Sequence, residues 1–252
     1  MTITIDLNSD MGEGFGAWSI GDGVDSDIMP LISSANIAAG FHAGDPSTMV
    51  ETLRLASRHG VGVGVHPGFR DLVGFGRRLI AAPADELVND ALYQLGALRE
   101  LACLEGLKIH HFKLHGALFM HAARDDEFAE KLTSALATVA PVLPVYCLAG
   151  SAIDNAAESV GLPRVHEFYA DRDYNDEGSI VFVRKIQRLD PVKVAQKVLR
   201  ACQDNKVEAV SGQLISVKFD SVCIHSDTPG ALSLVKAIRA ALDNAGIRVA
   251  AP

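Results

Sequence analysis

The 252-residue sequence has only four cysteines, Cys103, Cys147, Cys202 and Cys223, with no Cys-x-x-Cys pair among them. That spacing argues against a disulfide framework and against a cysteine-rich zinc site, and Cys147 and Cys223 read as small core residues. No apolar run approaches the ~20 residues that a membrane span needs. Met1 to Ile5 carry no basic region, so a signal peptide is not expected and a cytoplasmic protein is. Positive charge is also lacking. A net charge of −8 argues against a nucleic-acid partner or an anionic membrane surface. There is no GxxxxGK[ST] loop, and Gly12, Gly14 and Gly16 do not make GxGxxG, so the chain has no evident phosphate cradle of its own. HExxH is absent as well. With no internal repeat, low-complexity stretch or linker, one domain over residues 1–252 is expected.

What is present is a repeated pattern. Seven short apolar strands each run into a polar motif: Asp6 to Asp10, Asn36 to Asp45, His66-Pro67, Lys113 to Gly116, Gly150-Ser151, Glu167 to Arg172, and His225 to Asp227. The strands are expected at Thr2–Leu7, Ser34–Ala39, Val61–Val65, Ile109–Leu114, Val142–Leu148, Arg164–Tyr169 and Ser221–His225. A short helix is expected around Asp27 to Ser33. Asp45-Pro46, Asp190-Pro191 and Thr228-Pro229 each put a capping side chain before a proline, which predicts helices over 46–59, 191–204 and 229–245. Further helical patterns lie near 84–105, 125–139 and 151–160. Residues 173–188, with a turn at Asn175 to Gly178 and an apolar run Ile180 to Val183, interrupt the alternation. So do residues 207–218, which read as a hairpin around Ser211-Gly212-Gln213.

Strand followed by helix, repeated, predicts an α/β fold with parallel strands and outer helices. With 48% hydrophobic residues and this length, a TIM-like (β/α)7 barrel, slightly incomplete, is the expected form, and an open doubly wound sheet is the alternative. Either fold gathers the strand ends on one face.

The polar residues at those ends are the candidate site. Asp6, Asn8 and Asp10 alternate and face one way, as suits a barrel mouth or a cation, although Asx residues also hold turns. His42 lies in a Gly-Phe-His-Ala-Gly loop with no evident packing role. Asp45 has a competing role as a helix cap. Pro67 biases His66 towards extended backbone, which holds its ring at the rim. Arg77 and Arg78 either pair with carboxylate or phosphate or form a solvated patch. His111, Lys113 and His115 share a face. A lysine aimed into a barrel must be paired or functional, either as a cation for a substrate carboxylate or as a base whose pKa burial lowers. His115 is its natural proton-transfer partner, while His111 lies deeper and reads as structural. His225 and Asp227 share a face by alternation and could supply a base with its orienting partner, or two metal ligands. Asp171-Arg172 reads as a salt bridge at the rim. A metal site built from the histidines and aspartates stays open beside metal-free acid–base work.

Taken in order, these motifs resemble one family. Asp6-Leu7-Asn8-Ser9-Asp10-Met11-Gly12-Glu13-Gly14-Phe15-Gly16, Asn36 to Pro46, Val65 to Phe69, Gly74 to Arg78, Lys113 to Leu118, Glu167 to Arg172 and Cys223 to Gly230 are similar to the LamB/YcsF family, from residue 5 to about 245. The resemblance implies a barrel related to the polysaccharide-deacetylase-like fold. It also implies a part in opening the lactam of 5-oxo-L-proline to L-glutamate, with ATP as co-substrate. Two partner subunits of the 5-oxoprolinase, B and C, would handle the nucleotide; a homo-oligomer stays open. On that view Asp10 or Asp227 activates water, His115 relays a proton, and Lys113 or Arg77 holds carboxylate or phosphate. Asn8, Glu13, His42, Asp45, His66, Asp171, Arg172 and His225 would line the substrate. The competing readings are a metal-dependent amide or sugar deacetylase of the same barrel class, and a protein that only binds substrate for its partners. Three departures from the family stand out: Ala39 for its usual cysteine, Ser226 for a glycine, and no Arg-x-x-Gly-Ala-like run over Arg184 to Asp190.

Overall fold

Alternation along Thr4–Met11 (β1) turns Asp6, Asn8 and Asp10 one way and Ile5, Leu7 and Met11 the other, and the fold is organised by that split. The computed structural model describes residues 3–181 and 187–252. In it β1 joins β2 (Ser34–Ala38), β3 (Gly62–His66), β4 (Ile109–Phe112), β5 (Val145–Cys147), β6 (Arg164–Tyr169) and β9 (Ser221–Cys223) in one parallel sheet. Strand β9 returns to β1, with Asp6 opposite Ser221 and Asn8 opposite Cys223, so the seven strands close. Closure bears out the expected seven-stranded TIM-like barrel and excludes the open sheet. Its thinnest seam joins β4 to β5 through the single pair Phe112 and Val145. The two-residue β10 (Arg248–Val249) pairs beside the start of β1.

The split leaves the barrel with a polar inside and an apolar outside. Hydrogen bonds cross the lumen between strands that are not neighbours, as from Asn8 of β1 to Glu167 of β6 and from Tyr146 of β5 to Asp6 of β1. The outward side chains, Leu7, Ile37, Val63, Phe112, Val145, Phe168 and Val222 among them, form one buried cluster with the helices. Burial of this annulus stabilises the fold at roughly 25 cal/mol per Å² of apolar surface removed from water.

The helices are α1 (Asp25–Ile28), α2 (Pro46–His59), α3 (Ala84–Leu104), α4 (Gly116–Ala122), α5 (Asp126–Val139), α6 (Ala152–Ser159), α7 (Pro191–Asp204) and α8 (Ala231–Asn244). Asp45 and Asp190 cap α2 and α7 as their Asp-Pro pairs predict, and Gly60 ends α2 in the left-handed region. The third such pair behaves differently. Helix α8 starts two residues late, from Gly230 without a side-chain cap, because the Thr228 hydroxyl is bonded to Asp171 instead. The expected helix at Asp27 to Ser33 is α1 followed by a 3-10 turn, Met29–Leu31. Helix α4 has no counterpart among the expected elements. The hairpin is there, as β7 (Lys206–Glu208) against β8 (Leu214–Ser216), and Asn175 to Gly178 turn as read, with Tyr174 bridging Ile180. The apolar run to Val183, the start of strand one at Thr2 and the first part of the run from Arg184 to Asp190 lie outside the described residues.

Candidate active site

Three strata of polar side chains fill the lumen. At the bottom, the Asp6 carboxylate accepts hydrogen bonds from Ser33 (2.6 Å), Ser34 (2.7 Å), Tyr146 (2.9 Å) and Ser221 (2.5 Å). In the middle, Asn8 donates to Glu167 and Ser221, Asn36 donates to Asn8 and Asp10, and His111 Nε2 meets Asn36 Oδ1 at 2.7 Å. At the top, where β1, β3, β4, β6 and β9 end, lie Asp10, His66, Lys113, His115, Tyr169 and His225. These six all line a cavity of about 40 Å³, together with Arg77 and Arg172.

Lys113 is the hub. Its Nζ lies 3.1 Å from Asn8 Oδ1, 3.1 Å from Asp10 Oδ1, 3.0 Å from Glu167 Oε1 and 3.0 Å from Cys223 Sγ. Burial opposes its charge, but Asp10, Cys223 and Glu167 outweigh burial and hold its pKa well above the ordinary lysine value. A lysine held protonated in this way does not fit the expected role as a base. An ammonium has three protons, and all of them are committed inside the protein, so Lys113 positions Asp10 rather than a substrate carboxylate. Asp10 mirrors this. Burial raises its pKa, yet His66 and Lys113 bring it well below the usual carboxylate range. Cys223, read as bland core, faces the ammonium, although burial pushes its thiol well up.

The histidines are fixed from behind. His66 Nδ1 lies 2.8 Å from the Lys113 carbonyl and His115 Nε2 lies 2.8 Å from the Phe75 carbonyl. Phe75 adopts a left-handed φ of 53°, a strained conformation for a bulky residue, to aim that carbonyl inward. Gly76 (φ 60°) passes so close that a Cβ there would meet His115 Cδ2 at 2.7 Å, so glycine is needed on both counts. His225 Nδ1 lies 3.0 Å from Asp171 Oδ1, and its Nε2 lies 3.6 Å from Asp10 Oδ2. Asp171 also binds Arg172; despite burial, His225 and Arg172 hold its pKa far below the ordinary range. Behind this wall His42 stacks on His115 with ring centroids 3.7 Å apart. Glu13 Oε1 lies 3.5 Å from His42 Nε2 and 3.3 Å from His115 Nδ1. Burial, then Asp10 and Asp227, raise Glu13 well above its usual pKa, while burial first of all lowers His42 and His115.

Most of the sequence-predicted residues therefore converge. Asp10, His66, Arg77, Lys113, His115, Arg172 and His225 line the cavity. Asn8, Glu13, His42 and Asp171 support them from below or behind. Asp227 does not share a face with His225, because the chain turns after Cys223 and the alternation ends there; it pairs with Arg77 at the rim, 2.8 Å away. Asp45 lies outside the cavity lining. It is consumed by the α2 cap and by Gly16 N–H, 2.9 Å away, which ties down the glycine-rich loop. Arg78 pairs with Asp71. Ser226 puts its hydroxyl 2.8 Å from the Asp10 carbonyl, a tie between the β9 and β1 ends that a glycine could not make. Sequence reasoning gave no individual role to Asn36, Glu167 or Tyr169 and read Cys223 as core. The signal was available: the alternation applied to β1 also puts Glu167, Tyr169 and Asp171 on one face of β6.

A closed parallel barrel with a charged, buried cluster facing a cavity at its C-terminal mouth defines a TIM-like barrel protein with its site at the usual end of that fold. The chain belongs to the LamB/YcsF family, whose model matches residues 5–252. It is 63% identical over 248 residues to a 5-oxoprolinase A subunit of Pseudomonas aeruginosa, covering 98% of each chain. It is 59% identical to a 5-oxoprolinase A subunit of Pseudomonas putida, again over 98% of each. Among solved structures it resembles the lactam utilization protein from Thermus thermophilus, with a TM-score of 0.92 and 42% identity over 99% of this chain and 100% of that one.

Proposed function

We propose that this chain is the A component of an ATP-dependent 5-oxoprolinase, opening the lactam ring of 5-oxo-L-proline to give L-glutamate together with partner subunits B and C in the cytoplasm. The observation that carries the reading is the end-to-end likeness to relatives of that name, 98% of both chains at 63% identity. The polar mouth of the barrel supplies a place for the chemistry.

An unstrained lactam resists attack by water, and phosphorylating its oxygen with ATP makes the carbon electrophilic. The chain lacks a phosphate-binding glycine motif, which fits a division of labour in which the partners handle ATP. The cavity of about 40 Å³ holds about three waters at most, so it takes water and the reacting end of a ligand while the remainder lies in the mouth above. Asp10 would accept the proton of the attacking water. Lys113 keeps it ionised, and Asn36 fixes its orientation at 2.8 Å. His225, oriented by Asp171, would pass that proton to the departing ring nitrogen. Arg77 and Arg172, both lining the cavity, would hold the substrate carboxylate, with Arg77 released from Asp227. The step balances with two waters: ATP gives its γ-phosphoryl group to the ring oxygen and leaves as ADP, one water adds to that carbon as the ring C–N bond breaks and its proton ends on the amine, and a second water splits the resulting acyl phosphate into the new carboxylate and inorganic phosphate.

The test is glutamate release from 5-oxoproline and ATP by the assembled three-component enzyme, with wild type compared against Asp10→Asn. A carboxylate acting as base predicts a fall of at least ~100-fold. Undiminished turnover by the variant, in a complex that still assembles, would leave this chain with a binding role only.

A further inference from the structure

Beside the cavity, Glu13, His42, His66 and His115 gather ring nitrogens and a carboxylate oxygen within 4.8 Å of one another. The ring tautomers follow from the partners. A carbonyl oxygen only accepts, so His66 Nδ1, at 2.8 Å from Lys113 O, and His115 Nε2, at 2.8 Å from Phe75 O, carry their protons there. In the neutral rings the remaining nitrogens, His66 Nε2 and His115 Nδ1, are then bare lone pairs, and they face each other at 3.0 Å. Two lone pairs at that distance repel unless a proton or a metal cation lies between them, and His66 Nε2 also lies 3.3 Å from Asp10 Oδ2. Glu13 Oε1 and both ring nitrogens of His42 are fully buried with no hydrogen-bond partner among the described residues. Glu13 is 5% exposed and His42 not at all, so bulk water does not reach them.

We propose that Glu13, His66 and His115 hold a divalent first-row transition-metal ion, against the cavity and beside Asp10, with His42 stacked behind His115 as support for its ring. Three observations agree on it. The near contacts, 3.0 Å between His66 and His115 and 3.3 Å between His115 and Glu13, have the length of edges of a coordination polyhedron. Metal bonds of about 2.0–2.2 Å place neighbouring ligands about 2.8–3.6 Å apart. The three donor atoms lie within 4.8 Å of one another. The backs of His66 and His115 are bonded to carbonyls, which is how metal-bound imidazoles are oriented. Two imidazoles and one carboxylate, without a thiolate, suit zinc, cobalt, manganese or iron rather than calcium or magnesium. Since Asp10, His66 and His115 also line the cavity, the ion would be within reach of a ligand there and could polarise a carbonyl or a water. The site is argued from donor geometry and does not depend on the lactam reading.

Metal content of the untagged full chain, purified without chelator, is the first measurement. The second strips the protein with dipicolinate and titrates it with Zn²⁺ by calorimetry and with Co²⁺ by its visible d–d absorption. One equivalent is expected, with His nitrogen ligation in the cobalt spectrum. Glu13→Gln, nearly isosteric, should weaken Zn²⁺ binding at least tenfold, and His115→Asn should do the same, while circular dichroism and the metal-free melting temperature check that each variant is folded. Should a ligand variant fail to fold, the wild-type stoichiometry and cobalt spectrum decide alone. Wild-type protein that takes up no more Zn²⁺ or Co²⁺ than background overturns the proposal and leaves a cluster holding shared protons. Folded variants that bind as tightly as wild type overturn it too. Chelator-resistant glutamate release by the assembled enzyme would remove the metal from turnover and leave the 5-oxoprolinase reading standing; metal binding without glutamate release would do the reverse.

Discussion

Asp6 and Asp10 sit four residues apart on one face of one strand, both buried, and their surroundings could hardly differ more. Asp6 is enclosed by hydroxyls from Ser33, Ser34, Tyr146 and Ser221. Asp10 is enclosed by Lys113, His66, His225 and Asn36, and one side of it is open to the cavity. Hydroxyls satisfy a carboxylate and leave it inert. Titratable neighbours set its charge and give its proton somewhere to go. The residue type and the strand position say nothing about which of the two an aspartate will be; the neighbours contributed by other strands decide it.

The comparison can be tested where it is strongest. Lys113→Met leaves Asp10 and Glu167 buried without their counter-charge, which should lower unfolding stability by about 3–5 kcal/mol, read from the denaturant midpoint, and abolish turnover. If the variant were as stable as wild type, the mouth would not depend on this ion pair. Next, Asp10→Asn should cut glutamate release at least ~100-fold, whereas Asp6→Asn should leave it within about twofold and instead cost about 1–3 kcal/mol of stability through weakened hydroxyl bonds. Equal losses of turnover in both would erase the distinction between the two aspartates.

Asp45 gives the smallest effect and a control outside the lumen. Asp45→Ala should remove about 1 kcal/mol, the worth of a helix cap, and leave turnover unchanged. The pH dependence has a definite sign. The Thr48 hydroxyl and the Gly16 N–H hold this carboxyl down at about 2, against about 3.9 in an unfolded chain. The stabilisation is therefore complete above about pH 4 and is lost as pH falls towards 2, so the gap between variant and wild type should narrow over that interval. A gap that widened on acidification would show that the cap is not the carboxylate's role.

Much of this was legible in the sequence. Period-two alternation revealed the inward faces of β1 and β4, and Asp-Pro pairs revealed the starts of α2 and α7, because both signals are local. The barrel was legible from chain length and strand–helix alternation, but the register that closes it, Asp6 opposite Ser221, was not. Nor was the state of Lys113. Burial alone would lower its pKa, and only the distances to Asp10 and Glu167 reverse the sign. Asp227 misled because alternation was extended past Cys223, where the strand has already ended. Thr228 misled because a hydroxyl suited to capping found a carboxylate, Asp171, from another strand. Each error has the same origin: a short-range rule overruled by a partner distant in the chain.

Two of the rings at the mouth take their proton placement from main-chain oxygens, those of residues 113 and 75, rather than from side groups. Exchanging the amino acid at position 75 alters the packing around the ring but keeps an acceptor in place so long as the loop holds its path. The chemical poise of the two imidazoles is thus written into the course of the polypeptide and is sheltered from most single-codon drift.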